Sequence, residues 1–194
     1  MRVILGSGSP RRRELLSLIY PDFDIIVPDI NEEIRDGESS VGFAERMSRE
    51  KMAAIMPFCP DEEMSFLAIT ADTVVSIKGR SIGKPADFED AKRILMILSG
   101  QTHEVITGIT VFIKQRQKYN IMFTAHEVTK VTFKKLNNAE IIQYLNTIEY
   151  ADKAGAYAVQ ENGELIIESI LGSVSNVAGF PLRLFLRMLP AAVL

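Results

Sequence analysis

An aspartate stands inside an apolar, β-branched run, Ala68-Ile69-Thr70-Ala71-Asp72-Thr73-Val74-Val75. Aspartate is depleted in strands and costly to bury without a partner. Asp72 therefore calls for a metal ion or a group of lysines beside it, unless it stands at a strand end and faces solvent. A carboxylate held in that way could ligate Mg²⁺ or take a proton from an attacking water. The second segment with chemistry in it is Ser7-Gly8-Ser9-Pro10-Arg11-Arg12-Arg13. Ser9 suits a helix N-cap and Pro10 the first helical position, because proline lacks only an N–H that would go unpaired there. The arginines then crowd a first turn where the helix dipole already presents positive partial charge, at a cost of about 0.3–1 kcal/mol each. A phosphate held by backbone N–H groups, serine hydroxyls and guanidinium forks would relieve the conflict, as would pairing with Glu14 or with carboxylates elsewhere. The segment lacks the Gly-Lys-Ser/Thr ending of a Walker loop, so that template does not apply.

Other candidates are less specific taken one at a time. Lys84 lies in the turn Gly83-Lys84-Pro85, and Lys51 reads as lying on the polar side of a helix; either alone fits an ordinary solvated lysine. In Asp152-Lys153-Ala154-Gly155-Ala156-Tyr157 the glycine permits close backbone approach, and the nearby Gln160 can donate to and accept from a base edge. The alternative there is a charged turn before a strand. His103 and His126 have no serine or cysteine motif beside them and read as structural. With one cysteine, two histidines and neither Cys-x-x-Cys nor His-Glu-x-x-His, zinc or cysteine–histidine chemistry has little support.

The elements that must carry these residues follow from periodicity and breakers. Val3-Ile4-Leu5 predicts a strand, the Gly/Ser segment a loop, and Arg11 to Ile19 a helix. A strand from Phe23 to Pro28, an acidic loop from Asp29 to Ser40 and a helix from about Val41 to Ile55 come next. Phe66 to Ile77 predicts a strand that ends at the turn Lys78-Gly79-Arg80. Asp87 is placed to cap a helix whose apolar stripe is Phe88, Ala91, Ile94, Leu95 and Leu98, with Gly100 as its stop. Val105 to Ile113 and Ile121 to Phe133 predict an antiparallel pair separated by the polar stretch 114–120. Asn137 and Glu140 have capping-box spacing for a helix through Leu145. Strands around Ala156–Val159 and Leu165–Ile170 are expected to flank a hairpin turn at Asn162-Gly163, and Pro181 to open a last helix over Leu182–Leu189. Early alternation and late strand pairing imply an α/β unit on a mixed sheet.

Composition narrows the classes further. The 194 residues are 47% hydrophobic and 24% charged, which fits one domain, or at most two small ones, and excludes disorder. Neither a linker nor a repeat interrupts the chain. A net charge of −3 argues against general nucleic-acid binding. The Gly/Ser/Pro/Arg segment comes too early for a signal peptide, no apolar run reaches the ~20 residues of a membrane span, and a lone cysteine fits a reducing compartment. A cytoplasmic protein is expected.

In register, the segments are far more specific than any one of them. Ser7-Gly8-Ser9-Pro10-Arg11-Arg12 with Glu14-Leu15-Leu16, Lys51, Ala71 to Val75, Gly83-Lys84-Pro85, Ser99-Gly100 with His103-x-Val105-x-Thr107-Gly108, Asp152 to Tyr157 and Asn176-Val177-x-Gly179-x-Pro181-Leu182 resemble the Maf family of nucleotide pyrophosphatases over nearly the whole chain. The resemblance implies an inosine-triphosphate-pyrophosphatase-like α/β fold: an elongated mixed sheet flanked by helices, with a central cleft, in a single domain over 1–194 and usually a homodimer. It implies hydrolysis of nucleoside triphosphates between the α and β phosphates with a divalent metal, Mg²⁺ foremost and Mn²⁺ or Co²⁺ as alternatives. By the same resemblance Asp72 is the catalytic carboxylate, either general base or metal ligand, and Glu32 is linked to the metal. Ser7, Ser9, Arg12, Lys51, Lys84 and Lys153 fall among the substrate-binding positions. Arg11, Thr73 and Gln160 resemble the branch acting on dTTP and UTP, whereas the branch acting on 7-methyl-GTP carries a bulky apolar residue, glutamine and glutamate there. Asn31, Glu161 and Phe180 depart from the family pattern. The rival expectations are 7-methyl-GTP as substrate and a nucleotide-binding regulator of septum formation; nucleic acid and membrane are not expected as partners.

Overall fold

The computed structural model describes residues 1–60, 64–115 and 119–190, with Tyr119 described by its backbone only. The first apolar run forms β1 (Arg2–Gly6), buried from Val3 onward. After a loop, α1 (Pro10–Ser17) begins with Ser9 at the N-cap position, although the Ser9 side chain does not cap it. The strand expected over Phe23–Pro28 shrinks to β2 (Asp24–Ile25), parallel to β1. Ile26 still donates to the Leu5 carbonyl, but Val27 is exposed and Pro28 has no N–H to extend a ladder. The chain then runs through an irregular acidic loop to α2 (Ser40–Ile55), capped by the Ser39 hydroxyl.

Next come β3 (Phe66–Ile77), β4 (Arg80–Ile82) and α3 (Phe88–Leu98), whose cap is Asp87 and whose buried stripe is Ala91, Ile94, Leu95 and Leu98. β5 (Thr102–Gln115) and β6 (Tyr119–Phe133) follow; the middle of the expected polar connection, 116–118, lies outside the described residues. Thr102 meets Thr132 at 2.9 Å and Thr110 meets Thr124 at 3.0 Å, so positions that advance along β5 retreat along β6, as antiparallel pairing requires. α4 (Asn138–Leu145) has the predicted capping box between Asn137 and Glu140. β7 (Ile167–Leu171), α5 (Val174–Val177) and α6 (Leu182–Met188) complete the chain.

The sheet is mixed, as expected: the order is β2-β1-β3-β5-β6-β7, with β4 on β3 off this path. β1 runs parallel to β2 and β3, β4 antiparallel to β3, and β7 antiparallel to β6. The chain divides into two compact units, one of Met1–Asp72, Thr107–Glu127 and Gly179–Leu194, the other of Thr73–Ile106 and Val128–Ala178. In the first, α1 and α6 pack on the sheet through Leu16 and Phe185, joined by Phe180 from just before α6, and α2 packs on it through Met52 and Ile55. In the second, α3 and α4 bury Leu95, Leu98, Ile141 and Tyr144 against Val105, Val131 and Phe133.

Two expectations near the end of the chain are corrected. Residues 156–159 are not a strand, because Gly155 (φ 74°) and Ala156 (φ 58°) turn the backbone into the left-handed region within a 3₁₀ turn, Ala154–Ala156. Asn162-Gly163 does not join two strands either: Asn162 is left-handed (φ 54°) and leads into a second 3₁₀ turn, Gly163–Leu165, so β7 starts only at Ile167.

His103 proves structural, as its sequence context implies. It is 1% exposed, its Nε2 lies 2.8 Å from the Tyr157 hydroxyl, and its ring packs edge-on against Phe133 and Tyr157. Nδ1 has no hydrogen-bond partner among the described residues, and burial lowers the imidazole pKa from 6.5 to about 4. Between those values the unfolded chain takes up a proton that the folded one refuses, so stability is lost as pH falls from 6.5 toward 4. Urea unfolding at about pH 7.5 and about pH 5 is expected to show roughly 2 kcal/mol of this loss in the wild type and none of it in His103→Gln. Equal pH dependence in the two proteins would refute the buried neutral histidine.

Gly108 controls how closely α2 approaches β5. A Cβ there would sit 2.3 Å from the Ala44 carbonyl oxygen and 2.7 Å from the Glu45 nitrogen, both backbone atoms of α2. Gly108→Ala must push the helix off the strand and is expected to cost about 3 kcal/mol, the upper part of the overpacking range, in thermal or urea unfolding. A cost under about 0.5 kcal/mol would show that helix and strand can part freely.

Candidate active site

Lys51 is the first surprise. Sequence reading places it on the polar side of its helix, but it is 7% exposed on the buried face of α2, in line with Ala44, Met47, Ser48 and Ile55. The spacing makes it part of the core stripe, with an ammonium where an apolar side chain would otherwise sit. That ammonium lies 2.6 Å from Asp72 Oδ1 and 2.6 Å from Glu32 Oε1. Asp72, buried in β3, thus has the cationic partner that its position demands. Glu32 reaches the same nitrogen from the irregular loop before α2 and is more exposed.

Polar contacts hold α2 at the depth this pairing needs. Ser48, one turn before Lys51, offers its carbonyl to Thr70 Oγ1 at 2.7 Å, and its hydroxyl meets Thr110 Oγ1 at 2.8 Å. Every member of this set is fully buried, so each hydroxyl is bonded rather than left to face apolar neighbours.

The basic first turn contributes Arg12. Its Nη1 donates to Ser7 Oγ at 3.1 Å and its Nε to the Gly179 carbonyl at 2.8 Å, while the Ser9 N–H donates to Ser7 Oγ at 3.2 Å. Burial pulls the Arg12 guanidinium below the usual arginine range; the negative charge of Asp72 opposes that shift, Arg11 adds to it, and Glu32 opposes it. Arg12 therefore lies within electrostatic reach of the Glu32–Lys51–Asp72 cluster and carries a serine hydroxyl beside it. Guanidinium, hydroxyl and ammonium are donors of the kind that hold phosphate oxygens.

The remaining candidates fall in the second unit, apart from Arg11, which precedes Arg12 in α1. Thr73 follows Asp72 directly along β3. The Gly155 N–H donates to the Gly83 carbonyl at 3.0 Å, which ties the turn bearing Lys84 to the loop bearing Lys153. A Cβ on Gly155 would meet Val75 at 2.9 Å, and its φ of 74° suits glycine, so that tie depends on the residue type. Lys153 is 3% exposed; its ammonium donates to the Glu149 carbonyl and lies 3.0 Å from Asp152 and 3.3 Å from Glu161. Here Lys153 anchors its own loop, and Glu161, one of the departures from the family pattern, supplies part of the anchorage. Gln160 is exposed on that loop.

Sequence reasoning left several contributors without a role. Gly179 was visible in a motif, but nothing in the residue types says that its carbonyl receives Arg12. Asn176, from the same motif, donates Nδ2 to the Val105 carbonyl at 3.1 Å and to Thr129 Oγ1 at 2.9 Å, joining α5 to β5 and β6. Among the described residues no group of three or more histidine, cysteine or acidic side chains could hold a metal ion by itself. The residues that could contribute to a divalent-ion site are Glu32 and Asp72, each with one oxygen on the Lys51 ammonium; Mg²⁺ commonly takes one or two carboxylates and completes its shell with water and substrate phosphates.

The cluster also predicts a stability pattern. Breaking a buried pair strands a charge, whereas removing both charges need not. Lys51→Met is expected to cost about 3–5 kcal/mol in urea unfolding at neutral pH, and Lys51→Met combined with Asp72→Asn to recover much of that loss. A single variant as stable as the wild type would mean that the carboxylates need no cation.

A family model described as "Maf-like protein" matches residues 2–192. The protein curated as dTTP/UTP pyrophosphatase in Geobacter sulfurreducens is 43% identical over 181 residues, covering 93% of this chain and 91% of that protein. Its namesake in Anaeromyxobacter dehalogenans strain 2CP-C is 41% identical over 181 residues, covering 93% and 89%. Among solved structures, a nucleoside-triphosphatase / dITP/XTP pyrophosphatase from Mycobacterium abscessus overlaps at a TM-score of 0.39 and 13% identity, covering 70% of this chain and 76% of that one, which is too slight to argue from. The family match spans nearly the whole chain, and on that ground the chain belongs to the Maf family.

Proposed function

We propose that the protein is a nucleoside triphosphate pyrophosphatase that cleaves dTTP and UTP between the α and β phosphates, releasing monophosphate and pyrophosphate. The observation that carries the reading is the Lys51 ammonium bridging Asp72 and Glu32 at 2.6 Å each, within electrostatic reach of the Arg12–Ser7 pair. Relatives bearing the name dTTP/UTP pyrophosphatase over about nine tenths of the chain support the choice of substrate, as do Arg11, Thr73 and Gln160.

In this reading Ser7 and Arg12 bind phosphate oxygens, Ser9 presents the N-terminal turn of α1 to them, and Lys84 keeps the phosphate-binding role that the family resemblance gives it. Lys51 holds Asp72 through Oδ1, which fixes the carboxylate plane and leaves the second oxygen to take a proton from the water attacking the α-phosphorus. Arg12 and Lys51 offer fixed positive charge to oxygens that become more negative as the bond to the leaving pyrophosphate breaks. Alternatively, the second oxygen of Asp72 would join Glu32 in holding a divalent ion, Mg²⁺ first and Mn²⁺ or Co²⁺ as alternatives, which would neutralise further phosphate charge. Lys153 keeps its loop in place, and Arg11, Thr73 and Gln160 meet the pyrimidine nucleotide. A homodimer, supported by the family resemblance, and a cytoplasmic location, supported by the single cysteine, belong to the same reading. No described helix is long and apolar enough to cross a membrane.

The test is product analysis across normal and modified triphosphates with Mg²⁺, Mn²⁺ or Co²⁺. Pyrophosphate, not orthophosphate, is expected from dTTP and UTP, and Asp72→Asn is expected to lower the rate by about 10²-fold or more while remaining folded. Unchanged turnover in the folded variant would remove Asp72 from the mechanism. Tight binding without turnover of any triphosphate by the wild type would favour a regulator.

A further inference from the structure

The segment that delivers Glu32 lacks the means by which loops are usually ordered. From Asn31 to Gly37 every residue is exposed, none belongs to a helix or strand, and Asp29, Glu32, Glu33, Asp36 and Glu38 face a single basic residue of their own, Arg35. Mutual repulsion should spread such a stretch into solvent. Besides the Glu32–Lys51 pair, a guanidinium from α2 makes several bonds to it. Arg46 Nε lies 2.7 Å from Glu38 Oε1 and Arg46 Nη2 2.7 Å from Glu38 Oε2, a two-pronged fork. The same Nη2 donates to the Glu33 carbonyl at 2.8 Å, one residue from Glu32, and Nη1 reaches Glu50 Oε1 at 3.1 Å.

Around this fork the loop closes on itself. Arg35 and Glu38 form a turn in which the Glu38 N–H donates to the Arg35 carbonyl at 3.0 Å and the Arg35 N–H to Glu38 Oε2 at 3.1 Å. Arg35 Nη2 adds a second link to Glu50 at 3.1 Å. The Arg46 and Glu38 side chains are only 12% and 13% exposed, so this pair is sheltered in a way that an exposed surface ion pair is not. The Glu38 carboxyl is held down to about 2, first by its hydrogen bonds from Arg46, which keeps it ionised across the working range. Arg46 also sits five positions before Lys51 on the same helix, so the residue that grips the loop and the residue that receives Glu32 are fixed relative to each other.

We propose that Arg46 is a positioning residue: its fork to Glu38 and its bond to the Glu33 carbonyl set the loop so that Glu32 reaches Lys51, the partner of Asp72. The inference rests on the reading above in giving Glu32 a part in triphosphate hydrolysis. Arg46 does not meet the nucleotide, so its loss acts on turnover and on metal dependence rather than on nucleotide binding. Lysine in its place keeps the charge but cannot bond both Glu38 oxygens and the Glu33 carbonyl from one planar group.

The experiment compares wild type, Arg46→Ala, Arg46→Lys and Glu38→Gln at a temperature where all are folded by circular dichroism. Pyrophosphate release is measured against dTTP and Mg²⁺, alongside backbone hydrogen exchange. Arg46→Ala is expected to lower kcat, or raise the Mg²⁺ needed for half-maximal rate, by about 10- to 100-fold, with KM for dTTP within about 2-fold. Arg46→Lys is expected to recover little, and Glu38→Gln to fall between. The amides of Arg35 and Glu38 should exchange faster in Arg46→Ala while those of α2 beyond Phe43 stay protected. Wild-type kcat and metal dependence in folded Arg46→Ala, full recovery in Arg46→Lys, or lost activity with unchanged loop exchange would each overturn the proposal. If the wild type hydrolysed no triphosphate, the reading of Glu32 would fall, and exchange at Arg35 and Glu38 would still decide whether Arg46 orders the loop.

Discussion

A lysine ammonium enclosed by two carboxylates at 2.6 Å is the constraint around which the first unit is arranged. Removing an ammonium and a carboxylate from water costs several kcal/mol per ion, and a buried pair recovers that cost only with short, well-directed contacts. Lys51 and Asp72 meet this condition because α2 is held close against β3 and β5. Gly108 lets the α2 backbone come within a distance that any side chain would block, and Ser48 bonds to Thr70 and Thr110 on the two strands. The close approach looks wasteful as packing, since larger apolar residues would fill the space at lower electrostatic cost. It makes sense as the means of placing a charged nitrogen against a strand carboxylate.

Two kinds of order meet at that nitrogen. Asp72 arrives on a strand, and its position follows from the backbone pairing of β1 and β3 and from the apolar neighbours of Ala71 and Val74. Glu32 arrives on a loop with almost no apolar surface to bury, so charge and hydrogen bonding do the ordering. The strand side is rigid over the whole stability of the fold, while the loop side depends on a few ionic contacts that can open locally.

How much of this was legible in the residues follows the same division. Regular elements with strong periodicity, α3 with its Asp87 cap and α4 with its Asn137–Glu140 box, stand where pattern and capping chemistry put them. The short β2 and the turn at Ala154–Ala156 do not, because edge pairing and left-handed backbone are set by neighbours distant in sequence. Asp72 could be recognised as anomalous from its strand alone, and the need for a cationic partner followed from the cost of burying it. The identity of that partner did not follow, since a lysine at a core position of an amphipathic helix looks like one on its polar edge until the helix is packed. Seven motifs in register supplied the family where single residues could not.

The second unit shows why such motifs are short and scattered. Lys84 and Lys153 lie far apart in sequence, yet one hydrogen bond, from the Gly155 N–H to the Gly83 carbonyl, ties their loops together. That bond requires the left-handed glycine, which the following Tyr157 helps to fix by docking its hydroxyl on buried His103. The glycine, tyrosine and histidine of the motifs therefore need not touch substrate to be indispensable. They set the backbone of the loops that carry the two lysines. Arg46 and Gly179 stand in the same relation to Glu32 and Arg12 in the first unit, the one through a guanidinium fork and the other through a carbonyl oxygen. In each case a charged side chain takes its position from a neighbouring group that holds the backbone or the side chain in place.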